Sequence, residues 1–317
     1  MKVCSNSKGE DAMNIIEVNK INDRLYILNE NINPKVKITM GLVIGSKKVA
    51  IIDTGYGTSG DLDKIIKQIT DKPVICLLTH CDPDHGGSAA LFDEKYMSSF
   101  EEESIKKGSL NPRTRLMIVK NSCDGNEELL EYAKEHMVKN SSFIYKSIKA
   151  GDVFDLGDCE LEAISLGGHT KGSMCFLNQK ENYAITGDSI ANINSPVLFF
   201  GRCLPLSVYK ENLEKFIKKV GDNIVIYSGH DIQPLKKQII PEILTLCEEV
   251  MSGDTAKDIP YVPPFFKVDL SNSNWLGKIF MPLVMNFVAK KQLGNSRPLE
   301  HKKAGYIASI KYNANKI

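Results

Sequence analysis

The chain has 317 residues, 42% of them hydrophobic and 25% charged, with a formal net charge of +1. These proportions exclude a disordered or fibrous polypeptide and leave room for one large core or two modest ones. A balance so close to neutral supplies no bulk field for nucleic acid or an acidic membrane, and nothing in the composition specifies an oligomeric state; the small-molecule substrate expected as partner follows from the motifs below, not from charge.

Residues 1–12 read as a loose polar tail, and MKVCSNSKGEDAMN has no apolar stretch of the kind a secretory signal needs. RLYIL, VKITMGLVIG and KKVAIID are short β-branched runs parted by turn residues, so strands are expected up to Asp53, followed by the Gly-rich turn Thr54–Gly57. Leu62, Ile65, Ile66 and Ile69 are spaced for a helix over 61–69 with Ser59 as its cap, and Pro73 ends it. VICLLT is a buried strand running into His80, and residues 86–92 start a short helix. The charged stretch 93–150 is expected to be a helical insertion, with one helix beginning near Gly125. Two strands around Gly157-Asp158, then SMCFLN and NYAITG, a helix over 207–220, the strand NIVIYSG and a helix over 234–251 complete a main domain spanning 13–253. Residues 254–317 form a C-terminal extension, a possible substrate cap, in which Tyr261, Phe265 and Phe266 beside Pro263-Pro264 are expected to pack on the core. Its most apolar run, residues 279–289, is too short to span a membrane and contains a Pro and an Asn. Eight cysteines with no CxxC pair read as reduced thiols, and a cytoplasmic location is expected. Strands and helices alternating in two sets imply a layered α/β domain.

The chemistry concentrates in LLTHCDPDHGG, residues 77–87, which puts His80, Asp82, Asp84 and His85 on one tight loop after an apolar strand. Four ligand-type side chains there converge on a small volume, with Pro83 and Gly86-Gly87 shaping the turn. His169 in LGGHT, Asp188 in YAITGDS and His230 in IVIYSGHD each follow a strand, where a sheet presents them to a common site. Four of the six histidines fall into this scheme, while His136, in a charged helix, and His301, in a basic segment, read as surface residues. Cys81 alternates with His80 and Asp82, so on an extended loop its thiol faces away from them, into packing.

The ordered set HxxxDH, GGHT, GDS and GH, together with IIDTG at 51–55, resembles the metallo-β-lactamase superfamily over roughly residues 15–253. The resemblance implies a four-layer αβ/βα sandwich with two divalent metal ions at one edge of the sheets. It places His80, Asp82 and His169 on one metal, Asp84, His85 and His230 on the other, and Asp188 between them. Asp53 would fix the loop that carries the ligands.

One departure stands out: the commonest family pattern has His where this chain has Asp82. A third carboxylate makes the cluster less positive, so manganese or iron is expected to fit beside the zinc usual in the family. The expected chemistry is attack of a metal-bridging hydroxide on an ester, lactone, thioester or phosphodiester, with Asp84 as proton carrier and Tyr227 as an oxyanion contact. An exported β-lactamase is disfavoured by the lack of a signal and by Asp, not Cys, at 188. The alternative is a non-haem di-iron oxidoreductase similar to flavodiiron proteins, which carry a carboxylate at the position of Asp82 but also need a flavin domain.

Overall fold

The computed structural model describes residues 13–34, 36–139, 143–192, 196–231, 233–260 and 298–317. Strands β1 (Ile16–Lys20), β2 (Leu25–Asn33), β3 (Val36–Ile44) and β4 (Val49–Ile52) form an antiparallel meander. Helix α1 (Leu62–Ile69) crosses over to β5 (Val74–Leu77), which pairs in parallel with β4; β6 (Glu94–Ser98) and β7 (Lys146–Ile148) extend the same parallel edge into a seven-stranded sheet. Helices α2 (Glu102–Lys106), α3 (Pro112–Ser122) and α4 (Glu127–His136) lie between β6 and β7.

A second, six-stranded sheet contains β8 (Val153–Asp155), β9 (Glu160–Ser165), β10 (Met174–Asn178) and β11 (Tyr183–Gly187). After β12 (Val197–Leu198) and helix α5 (Leu206–Lys219), β13 (Val225–Ser228) pairs in parallel with β11, and β14 (Leu235–Lys236) forms the edge. Helix α6 (Ile239–Ser252) leads to β15 (Ile259–Pro260), β16 (Pro298–Lys302) and β17 (Ser309–Asn313), which join β12 in a third sheet ordered β12-β17-β16-β15.

Period-two alternation sorts the buried side chains into layers. On β4, Ala50 and Ile52 enter the cluster between the two large sheets, whereas Val49 and Ile51 pack outward against Leu62 and Ile66 of α1. On the facing sheet, Phe176 and Ile185 join the same central cluster, while Cys175, Leu177 and Ala184 turn outward onto Leu213 and Phe216 of α5 and Ile243 of α6. Strands with both faces covered need continuous apolar runs, which is why VAII and VICL show no polar alternation. The four layers of an αβ/βα sandwich follow directly.

Several local expectations shift. Helix α1 starts after Asp61, not from a Ser59 cap. Residues 89–91 make only a 3₁₀ turn. Helix α3 was not anticipated, although Asn111 caps it by accepting from Arg113 N and Pro112 opens it. The stretch 93–150 is helical only in its middle, since its ends are sheet strands. The described C-terminal strands lie against α6 and β12, with Ala308, Ile310 and Tyr312 in the α5–α6 cluster. His301 is not a surface residue: it is buried, with Nδ1 2.6 Å from Asp258 and Nε2 3.1 Å from Glu249. Tyr261, Phe265 and Phe266 lie outside the described residues. Among the described residues no helix is long and apolar enough to cross a membrane.

Candidate metal centre

The parallel strands β4, β5, β11 and β13 all end at the same edge, and the loops beyond those ends carry Asp53, the 80–85 segment, Asp188 and His230. The two sheets are stitched together there by backbone bonds from Thr39 N to Gly229 O (2.8 Å) and from Met174 N to Thr79 O (2.8 Å). Three overlapping groups result, His80–Asp82–His169, His80–His85–Asp188 and Asp84–His85–His230, with ligand-type atoms within 4.8 Å of one another in each. Asp188 lies between the two sides: Oδ1 is 3.2 Å from both His85 Nε2 and His230 Nε2, and Oδ2 is 3.7 Å from His169 Nε2.

Each of the four imidazoles turns Nδ1 outward to an oxygen and Nε2 inward. His85 Nδ1 meets Asp53 Oδ2 at 2.8 Å, His169 Nδ1 the Val197 carbonyl at 2.8 Å, and His230 Nδ1 the Lys37 carbonyl at 3.4 Å. His80 Nδ1 lies 3.0 Å from Thr79 Oγ1, which donates in turn to Asp53 Oδ2 at 2.7 Å. Donation from Nδ1 leaves the Nε2 lone pair for a cation, the arrangement of metal-binding histidines. Asp53 holds this position at φ 60°, a left-handed conformation that only a surrounding set of bonds maintains in a non-glycine residue.

The fit to a cation is tested by the inward atoms. His80 Nε2, Asp82 Oδ1, His85 Nε2 and Asp188 Oδ1 are buried with no hydrogen-bond partner, although their neighbours stand within ion-pair distance. Buried polar atoms left so are costly, and four at one point are explained by a positive ion among them. Gly229 leaves the room: a Cβ there would fall 2.5 Å from Asp188 Oδ1 and 2.7 Å from His85 Cε1. The charges agree. Burial pushes His85 down and Asp188 up, but Asp188 and Asp53 outweigh it at His85, and His230 and His85 outweigh it at Asp188, so the His85 ring is held well above and the Asp188 carboxyl well below the ordinary range. Burial likewise opposes the protonated His230, yet Asp188 and Asp84 raise it to about 9.

The structure thus brings His80, Asp82, Asp84, His85, His169, Asp188 and His230 together and sets Asp53 behind His85. Cys81 faces the other way, with Sγ 3.1 Å from Met97 Sδ. Tyr227 is a correction. It packs in the central cluster, edge-on to Tyr183 at 6.3 Å, and burial alone raises its phenol; a side chain buried between the two sheets is not at the site. Tyr56 is another buried phenol, pushed well up first by burial and then by the charges of Asp84, Glu30, Asp188 and Asp82.

Two partners had no sequence signal. Arg202 donates Nη2 to Asp82 Oδ2 at 2.5 Å and lies over the Phe200 ring at 4.8 Å. Glu101 is buried between the 80–85 loop and the loop after His169. The only local hint for Arg202 is a cation following two aromatic residues, too common to single out.

A family model described as the metallo-beta-lactamase superfamily matches residues 35–111. Among curated relatives, human acyl-coenzyme A thioesterase MBLAC2 is 25% identical over 173 residues, covering 47% of this chain and 57% of the relative, so the chain spans little more than half the length of that protein. Hydroxyacylglutathione hydrolase of Erythrobacter litoralis is 22% identical over 206 residues, covering 62% and 80%. Among solved structures, a metallo-beta-lactamase from Pontibacter korlensis aligns with a TM-score of 0.55 at 15% identity, covering 74% of this chain and 99% of that one. A metallo-beta-lactamase family protein from Thermus thermophilus gives 0.53 at 20% identity, covering 75% and 81%. The matched segment makes residues 35–111 similar to the metallo-beta-lactamase superfamily, and the solved structures share the sandwich fold.

Proposed function

We propose that the chain is a metal-dependent hydrolase that holds two divalent cations and cleaves a small-molecule thioester or related ester. The observation that carries this reading is the set of four unpartnered, inward-facing atoms on His80, Asp82, His85 and Asp188. The thioester is favoured over lactone and phosphodiester because a relative bears the name acyl-coenzyme A thioesterase. Cytoplasmic residence is supported by the described cysteines, all seven of them free and buried.

His80, Asp82 and His169 would hold one cation, Asp84, His85 and His230 the other, and Asp188 would reach both. Cations bound there supply a Lewis acid for the substrate oxygen and lower the pKa of water to near neutrality. Asp53 fixes the His85 ring directly and the His80 ring through Thr79, so neither Nε2 drifts. Asp84, with Oδ2 3.4 Å from His230 Nε2, would take the proton of the attacking water on its carboxylate and return it to the leaving sulfur or oxygen. Arg202 restores a positive charge beside Asp82, so the carboxylate at that position does not by itself weaken the site as an electrophile. Zinc is therefore supported as well as manganese or iron.

The test is purification through chelator, reconstitution with zinc, manganese or ferrous iron, and a panel of thioester, ester, lactone and phosphodiester substrates. Metal-dependent turnover, lost in Asp188→Ala and His85→Ala, is expected. Unchanged metal content in both variants would sink the reading. Oxygen or nitric oxide consumption without hydrolysis would instead favour the di-iron oxidoreductase.

A further inference from the structure

We propose that Glu101 is the positioning residue of the His80–Asp82–His169 half of the site, the counterpart of Asp53 on the His85 side. The inference rests on the metal-centre reading and adds a residue to it. Glu101 follows β6 at the end of a short 3₁₀ turn and is 1% exposed. Its Oε2 accepts from Cys81 N at 3.0 Å, and its Oε1 accepts from Thr170 Oγ1 at 2.6 Å and from Gly172 N at 3.0 Å.

The location of those donors is what matters. Cys81 N lies between His80 and Asp82, and Thr170 is the residue after His169. One rigid carboxylate therefore clamps the two loops that bring this triad together from 87 residues apart. The Cys81 thiol packs on Met97 of the same β6 segment, so that segment holds residue 81 by both side chain and amide while His80 and Asp82 face the site. Gly172 is part of the device, because a Cβ there would stand 2.5 Å from Glu101 Oε1. Thr170 is held a second time by Ser173, whose Oγ accepts from Thr170 N at 3.1 Å.

A buried carboxylate is retained against its desolvation cost only when its bonds are made, and here three donors from two ligand loops make them. Nothing among these bonds reaches the Asp84–His85–His230 side, where Asp53 holds the His85 ring and the Lys37 carbonyl the His230 ring. The consequence is selectivity: loss of Glu101 should loosen one cation and spare the other.

The experiment is stepwise zinc titration of the metal-free chain by calorimetry, with His169→Ala identifying the equivalent that belongs to this triad. In Glu101→Gln, an amide N–H₂ replaces one acceptor and opposes a donor. That equivalent should weaken about 10–100-fold, as for other partners of metal-ligating groups, while the second moves less than about threefold. Thr170→Val removes a single bond, so it tests the same clamp should Glu101→Gln not fold, and should weaken the same equivalent several-fold. Glu30→Gln is the control, an equally buried carboxylate that binds Tyr56 N and Thr58 and touches neither loop. It should lower stability without selectivity between the two equivalents. Two zinc ions bound by Glu101→Gln as tightly as by the unaltered chain would overturn the proposal and leave the metal centre standing. Equal weakening of both equivalents would overturn it in favour of general destabilisation. An unaltered chain that takes up no ion would overturn it together with the reading beneath it.

Discussion

Replacing Asp53 by Asn tests the second half of the site with little disturbance to the backbone. Asp53 sits at φ 60°, and Asn is among the few residues that tolerate that region as well as Asp does. The carboxylate accepts three bonds: Thr79 N at 2.8 Å, Thr79 Oγ1 at 2.7 Å and His85 Nδ1 at 2.8 Å. An Asn side chain keeps its oxygen toward Thr79 N and turns N–H₂ toward the other two. His85 Nδ1 then has to accept, which moves the imidazole proton to Nε2, the atom that faces Asp188 at 3.2 Å. A protonated Nε2 cannot bind a cation. The loss expected from such a tautomer reversal is about 10–100-fold in metal affinity, or roughly 1.4–2.8 kcal/mol. It should fall first on the equivalent shared by Asp84, His85 and His230, with a smaller loss on the His80 side, whose ring Asp53 holds through Thr79. Zinc titration measures the affinity, and nitrogen NMR of the histidine rings reports the tautomer. An Asp53→Asn protein that binds both ions normally, with the His85 proton still on Nδ1, would refute the reasoning.

Further outcomes are expected. Gly229→Ala drives a methyl group into Asp188 and His85; overpacking of this kind costs about 1–3 kcal/mol, measurable by urea unfolding of the metal-free chain, with a parallel loss of metal uptake. Arg202→Ala removes a positive charge from Asp82 Oδ2, so divalent-cation binding by the His80–Asp82–His169 triad should tighten; weaker binding by calorimetry would show that Arg202 serves chiefly to orient Asp82. Saturating zinc should raise the melting temperature, because an ion held only by the folded chain stabilises it by mass action, and excess chelator should reverse the shift. For His301, burial lowers the pKa but Asp258 and Glu249 outweigh it, and the folded value lies above the ordinary one. Its contribution to stability is therefore complete below about pH 6.5 and fades as pH rises through the folded value. His301→Gln should accordingly destabilise most on the acid side of neutrality, and a thermal-unfolding difference that grew with pH would contradict the clasp.

The amino-acid sequence by itself determined those features whose physical cause is contained in a short window. An apolar strand running into His80, Asp82, Asp84 and His85 is one such window; the strand ends before Asp188 and His230 are two more. The alternation that sends the Cys81 thiol away from its neighbours is also local, and the structure places Sγ against Met97. Tertiary structure decided what depends on satisfying buried charge across distance. Arg202 meets Asp82 across 120 residues and Glu101 meets Thr170 across 69, and neither pairing leaves a periodic or compositional trace near the residue concerned. Tyr227 shows the converse: it is expected as an oxyanion contact, but a strand sends successive side chains to opposite faces, and this one faces the core between the sheets. His301 looked exposed because its neighbours are basic, and only folding revealed the two carboxylates that enclose it. Side-chain direction along a strand is set by its own few residues, whereas the partner of a buried charge is set by which loops the packed sheets bring within reach.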